Sequence, residues 1–174
     1  MTLQEDSLNE LEDETARALK LASDAALPFQ SGQSTSKKAA EILVAKDCGF
    51  FIPTAKQRQN LLVAFAKKGK VLYGKAFDVV KTTHAVDLDD LESVERNLAS
   101  IVIAEIKATK KNLPHDFAGF FFALTAGEVL VAQSLKDQFR FVFVNTATKG
   151  FLELRLTEIF SRAKGIYPTW SVSF

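Results

Sequence analysis

Hydrophobic spacing divides the chain into a helical front part and a strand-rich remainder. Apolar residues at helical intervals recur up to Gly69, and a small polar stretch at residues 30–36 interrupts them as a linker. Strand signals begin at Lys70. We therefore predict an N-terminal helical extension over residues 1–69, packed on an α/β core over residues 70–174 in one compact domain. The three predicted helices of the extension cover residues 5–26 and 37–46 and a segment that begins after Thr54.

The strand-rich part alternates between β-prone runs and short helical patterns. The apolar run Ile101–Ala104, followed by Glu105-Ile106-Lys107, predicts a buried central strand whose far end reaches solvent or a cleft. Thr125 and Glu128 have the spacing of a capping box and predict the start of a helix. The β-prone runs lie at residues 70–80, 101–107, 117–124, 138–145, 152–156 and 170–174, and the helical patterns lie at residues 87–97, 125–136 and 157–164.

Composition fits one globular domain, and the net charge conceals two opposite regions. The 174 residues carry a formal net charge of +1, which taken alone argues against a nucleic-acid partner. The first 24 residues contain seven acidic and two basic residues, so the remaining 150 carry about +6. With one cysteine and two histidines, the chain cannot supply an ordinary structural zinc site. The fifteen phenylalanines are expected to pack in the core.

Glu105 and Lys107 are the residues that most suggest chemistry. Residues i and i+2 of a strand share a face, so this carboxylate and this ammonium emerge side by side from a rigid element. Asp78 lies upstream in a β-prone segment, where strand propensity disfavours an acidic residue. Two carboxylates and water molecules are a usual ligand set for Mg²⁺, and a lysine beside them can contact an attacking water or a phosphate. We therefore expect Asp78 and Glu105 to bind Mg²⁺, with Mn²⁺ as a substitute, and Lys107 to assist the nucleophile.

The first metal ligand has alternatives, because more acids precede Glu105. Asp87, Asp89, Asp90 and Glu92 also lie upstream of it. Their pattern resembles a helix start, where acidic side chains cap the helix and complement its dipole, so we favour Asp78.

These motifs resemble those of a known superfamily. Asp78, the apolar strand and Glu105-Ile106-Lys107 look like the PD-(D/E)XK nucleases, although no proline precedes the candidate aspartates. Residues 70–156 are similar to the nuclease-like domain at the C-terminus of the plant protein NO VEIN. The resemblance implies a restriction-endonuclease-like fold, an α/β mixed central sheet flanked by helices. It also implies Mg²⁺-dependent hydrolysis of phosphodiester bonds, and it adds Gln133, on the helix after the motif strand, as an accessory polar residue.

Basic residues suggest where DNA would bind. Seven cations lie between residues 56 and 81, where Asp78 is the only acid, and a second cluster follows Lys107. We predict phosphate contacts by four lysines, Lys75, Lys81, Lys110 and Lys111. A solvated surface is the alternative interpretation of both clusters.

The sequence leaves two functions open. The first is a DNA endonuclease, with restriction or defence as its setting, and the second is an inactive nuclease-fold module that binds DNA or protein. We find no glycine-rich phosphate loop, nucleophile elbow or histidine-centred triad, which argues against a small-molecule enzyme and a nucleotide cofactor. A cytoplasmic protein without a membrane segment is expected, and a homodimer is a further option.

Overall fold

The computed structural model describes the backbone of residues 29–167 and the side chains of residues 35–167. The helix predicted over residues 5–26 and the strand predicted over residues 170–174 lie outside this range. In chain order the elements are α1 (Phe29–Ala45), β1 (Phe50–Phe51), α2 (Ala55–Lys67), β2 (Val79–Thr82), α3 (Leu91–Arg96), β3 (Ile101–Thr109), α4 (Ala126–Leu135), β4 (Phe139–Asn145), β5 (Phe151–Leu154) and α5 (Leu156–Arg162). Short 3₁₀ turns precede β3 and β4.

The protein is α/β, with a five-stranded mixed sheet in the order β1-β2-β3-β4-β5. The pairs β1–β2, β2–β3 and β4–β5 are antiparallel, while β3 and β4 run parallel. A parallel pair needs a crossover connection, which α4 provides. The apolar composition of Ile101–Ala104 is explained because β3 lies at the centre of the sheet and pairs on both sides.

Helices cover both faces of the sheet. On one face α1 packs through Ala39, Ala40 and Leu43. The other face presents the alternate residues of β4, Phe139, Phe141 and Phe143, to α2, α3, α4 and α5. These phenylalanines are almost fully buried, as expected for core residues.

Several predicted element boundaries are wrong. The sheet begins at β1 rather than after Lys70. In the β-prone stretch at residues 70–80 only Val79 and Val80 lie in a strand, which is β2 and continues to Thr82. Residues 30–36 belong to α1 and not to a linker. Residues 117–124 form turns and loop instead of a strand. Because β1 lies in the sheet and α2 in the main core, the core includes residues ahead of residue 70.

The predicted helix starts are confirmed where a side chain can cap the helix. Thr54 and Thr125 each form a capping box with the residue three positions later, Gln57 and Glu128. Asp90 caps α3 by accepting hydrogen bonds from two backbone N–H groups. Within residues 29–167, none of the helices is both long enough and apolar enough to cross a membrane.

Candidate active site

Strand β3 carries the two central side chains of the site. Glu105 and Lys107 share the face of Ile101 and Ile103, which is the face covered by α2 and α4. Each of the two side chains is only 12% exposed. Lys107 Nζ lies 3.3 Å from Glu105 Oε1, so the expected pair of neighbours is formed.

Asp78 meets them at the start of β2. Because Val79 pairs with Ala104 in antiparallel register, Asp78 falls beside Glu105. Its Oδ2 accepts a hydrogen bond of 3.0 Å from the backbone N–H of Ile106, which fixes the carboxylate against β3. The three residues predicted from the sequence, Asp78, Glu105 and Lys107, therefore come together.

Glu128 joins this group from the first turn of α4. Its Oε2 accepts the N–H of Thr125 at 3.0 Å in the capping box, and both of its carboxylate oxygens accept from Lys107 Nζ, at 2.9 and 2.8 Å. The capping spacing was visible in the sequence, but the contact with Lys107 depends on how α4 docks on β3. Glu128 therefore belongs to the site in addition to capping α4, which is the role that the sequence favours for it over metal binding. We call Asp78, Glu105, Lys107 and Glu128 the acidic cluster.

Burial and neighbouring negative charge make Glu105 hold its proton. Burial, followed by the charge of Asp78, raises the pKa of Glu105 to about 9, with Lys107 opposing and Glu128 adding to the rise. Burial also raises the pKa of Asp78, against the hydrogen bond from Ile106 and the charge of Lys107. Glu105 is therefore protonated at neutral pH, and its contact with Lys107 is a hydrogen bond to a neutral group. The ammonium is balanced by Glu128.

Arg58 on α2 fixes the segment that leads into Asp78. Its guanidinium donates to the carbonyl oxygens of Gly74, Phe77 and Asp78, at 3.1, 2.8 and 3.0 Å. The same group lies over the Phe77 ring, 4.4 Å from its centroid. Burial lowers the pKa of Arg58, while the charges of Asp78 and Glu105 raise it. The sequence indicated only that Arg58 was one cation in a basic run.

Asp78 and Glu105 supply carboxylate oxygens, the kind of donor that a hard divalent cation takes. Among the described residues, Asp78 Oδ1 has no hydrogen-bond partner. Since no buried side-chain N or O atom in this part of the chain lacks a partner, Oδ1 must be accessible. Two carboxylates with water molecules suffice for Mg²⁺. No group of three or more His, Cys, Asp or Glu side chains among the described residues is arranged to hold an ion.

Other predicted site residues lie elsewhere. Gln133 is exposed on α4, five positions after Glu128 and so about 140° around the helix from it. Lys81 shares the α1 face with Val79, where its Nζ bonds Glu153 Oε1 at 2.7 Å. Neither residue is brought to the acidic cluster. Three exposed lysines, Lys75, Lys110 and Lys111, remain as predicted DNA contacts.

The alternative first ligands serve local structure. Asp87 Oδ1 accepts the N–H of Asp89, and Asp89 Oδ2 accepts from Gln57. Asp90 caps α3, and Glu92 is 84% exposed. Their hydrogen bonds and ion pairs within the described residues involve neither Asp78 nor Glu105.

Comparisons of the chain with protein-family models, with curated proteins and with solved structures found no match.

Proposed function

We propose that the protein is a Mg²⁺-dependent endonuclease that hydrolyses DNA phosphodiester bonds on a restriction-endonuclease-like fold. The observation that carries the proposal is the convergence of Asp78, Glu105 and Lys107 on one face of the sheet. Glu105 and Lys107 lie on β3, and Asp78 directly precedes the adjacent strand β2, where its carboxylate is fixed by the hydrogen bond from Ile106. A site on strands is held more rigidly than a site on loops.

The electrostatics of the cluster favour cation binding. Asp78 and Glu105 lie close enough for the charge of one to raise the pKa of the other. A divalent cation would remove this repulsion by giving both carboxylates a shared counter-charge. Asp78 and Glu105 would therefore hold Mg²⁺, which when bound polarises a phosphoryl oxygen and lowers the pKa of a coordinated water.

In this proposal Lys107 acts on the reacting phosphate. Two oxygens of Glu128 and one of Glu105 surround its ammonium, so the side chain is held in one orientation. An ammonium held beside the phosphate can stabilise the negative charge that develops there, once it exchanges one of these carboxylate contacts for a phosphate oxygen. Glu128 acts through Lys107 and is a positioning residue.

The sheet topology supports the proposed fold. The strand that bears Glu105 and Lys107 is central. Its antiparallel partner β2 begins directly after Asp78, and its parallel partner is reached through a helix. The resemblance over residues 70–156 fits this arrangement, because Asp78, the motif strand β3, helix α4 and strand β4 follow in the same order.

The test is plasmid cleavage in Mg²⁺ by the wild type, Glu105→Gln and Lys107→Met, with Glu92→Gln as the matched control for an exposed acid. We expect wild type and Glu92→Gln to cleave, Glu105→Gln to fall to background, and Lys107→Met to lose about 10²- to 10³-fold in rate. Mn²⁺ should replace Mg²⁺.

Absence of cleavage by the wild type across varied DNA sequences, or equal cleavage by all four proteins, would contradict the endonuclease proposal. DNA binding by the wild type that survives Glu105→Gln, without cleavage in Mg²⁺ or Mn²⁺, would favour the inactive binding module. That alternative has one observation in its favour, since Lys107 is already bonded to both oxygens of Glu128.

A further inference from the structure

Two loops at the carboxyl edge of the parallel strands are joined by a buried side chain. Asn145, which is 3% exposed at the end of β4, donates from Nδ2 to the Lys111 carbonyl oxygen at 2.9 Å. Its Oδ1 accepts from Ala147 N–H at 3.0 Å and from Thr148 N–H at 3.2 Å. One amide thus ties the loop after β3 to the turn after β4.

Thr109 and Thr146 add a second connection. The Thr109 carbonyl oxygen accepts from Thr146 N–H at 2.8 Å and from Thr146 Oγ1 at 3.2 Å. Thr109 Oγ1 accepts from the N–H of Lys111 at 3.1 Å. Surface loops are usually mobile, whereas these two are fixed to each other by buried polar groups that are all hydrogen-bonded.

Lysines occupy the outward positions of this fixed backbone. Lys110 and Lys111 lie on the first loop and Lys149 on the second, and all three are exposed. Within residues 35–167, their side chains make no ion pair, hydrogen bond or ring contact. We call these three residues the edge lysines.

The backbone at Lys149 is in a conformation that favours glycine. Its φ is +59°, and its N–H donates to the Asn145 carbonyl oxygen at 2.8 Å to close the turn. A lysine held there despite the backbone preference suggests a use for its charge. Asp116 is the only acid in the two loops, and its Oδ1 accepts the N–H of Ala118.

The edge lysines continue the strand that carries the chemistry. Lys110 directly follows the last residue of β3 and lies three residues after Lys107, a separation of about 10 Å in an extended chain. One DNA strand carries a phosphate about every 3.4 Å along the helix axis, so a backbone held by the edge lysines could extend from them to the acidic cluster.

We propose that the edge lysines bind the phosphate backbone of duplex DNA and align it with the acidic cluster. This inference rests on the proposed function for its choice of polyanion. It adds Lys149, which the sequence did not indicate, and it makes the joined loops rather than the basic run at residues 56–81 the docking surface. Contacts with phosphates position the DNA and carry no sequence information.

The test is fluorescence anisotropy with a labelled 20-base-pair duplex in EDTA, at several salt concentrations. It compares wild type with the triple variant Lys110→Gln, Lys111→Gln, Lys149→Gln. The matched control is Lys37→Gln, Lys38→Gln, Lys164→Gln, which removes three exposed lysines from α1 and the region after α5. We expect the edge variant to lower the slope of log K against log salt by about 3, at about 0.9 per lost phosphate contact, and to weaken binding at least about tenfold. Lys149→Gln alone should lower the slope by about 1.

Because binding is measured without metal, its outcome is separable from catalysis. Equal salt slopes for the edge variant and the control, or no DNA binding by the wild type, would overturn the edge-lysine proposal. Weakened binding of the edge variant with an inactive wild type would support this surface while contradicting the endonuclease. Cleavage by the wild type, together with DNA binding by the edge variant that equals wild-type binding, would support the endonuclease while contradicting the edge-lysine surface.

Discussion

Replacing Glu105 by glutamine is expected to stabilise the folded protein at neutral and alkaline pH. Glutamine has nearly the shape of the protonated carboxyl, and its amide can donate a hydrogen bond as the acid proton does. The folded pKa of Glu105 is about 9 and the ordinary value is 4.5. Between these values the unfolded chain releases a proton that the folded chain retains, so the free energy of unfolding falls as pH rises. Glutamine does not titrate, so the free energy of unfolding of Glu105→Gln does not fall with pH for this reason.

The size of the effect follows from the pKa difference. Each pH unit inside this window lowers the free energy of unfolding by up to about 1.4 kcal/mol. From pH 5 to pH 8 the limit for Glu105 alone is about 4 kcal/mol. The charge of Asp78 contributes to the raised pKa of Glu105, and burial raises the pKa of Asp78 itself, so the two carboxyl groups share the effect and we expect about 2–4 kcal/mol.

Urea denaturation in EDTA at pH 5, 7 and 8 measures this directly. Wild type should lose stability relative to Glu105→Gln as pH rises, while Glu92→Gln, which changes an exposed acid, should follow the wild type. A stability difference between Glu105→Gln and wild type that is the same at pH 5 and pH 8 would refute the retained proton. A variant less stable than wild type at pH 8 would refute it as well.

Three further perturbations address metal binding, positioning and charge balance. Added Mg²⁺ should raise the melting temperature of wild type more at pH 8 than at pH 6, because the carboxylates must lose protons to bind it. Asp78→Asn should abolish this rise. Equal rises at both pH values would contradict proton-coupled metal binding. Arg58→Gln should lower the free energy of unfolding by about 2–4 kcal/mol and weaken the Mg²⁺-dependent rise in melting temperature. Arg58→Lys should restore little of either, because one ammonium cannot reach all three carbonyl oxygens. Full rescue by lysine would argue against the role of Arg58 in positioning the segment before Asp78. Glu128→Ala should lower the free energy of unfolding by about 3–5 kcal/mol, because it removes the carboxylate paired with the buried Lys107 ammonium. The double variant with Lys107→Met should recover part of that loss in urea denaturation. Additive losses from the two substitutions would show that the two side chains are not coupled.

The sequence predicts this site better than it predicts the sheet around it. The apolar run of β3 and its two-residue alternation are local signals, so the strand and the shared face of Glu105 and Lys107 are confirmed. Strand β1 has two residues and is too short for any periodicity. The run at residues 117–124 is β-prone by composition, but Phe117 and Gly119 adopt positive φ values of 59° and 80°, which break a strand. Its phenylalanines pack on one another and on Phe143 instead.

The contacts missing from the sequence prediction are those that depend on docking between elements. Arg58 lies twenty residues before Asp78, and Glu128 lies 21 residues after Lys107. No local pattern connects such pairs, because α2 and α4 reach the site only after they pack on the sheet. Glu128 illustrates this, since its capping role is local and was predicted, whereas its contact with Lys107 is tertiary.

Charge density along the chain is a poor guide to the electrostatic surface of this protein. Four of the seven cations between residues 56 and 81 form hydrogen bonds within the protein. These are Arg58 with backbone carbonyl oxygens, Lys67 with Glu95, Lys70 with the Ser134 carbonyl oxygen, and Lys81 with Glu153. The edge lysines are three cations distant in sequence from this run. They have no side-chain partners among the described residues, and they lie on two loops, after β3 and β4, that are fixed to each other. A polyanion gains most from charges that are exposed and held in place, because no internal contact must be broken and little loop entropy is lost on binding. The edge lysines are therefore a better candidate for the DNA surface than the basic run at residues 56–81.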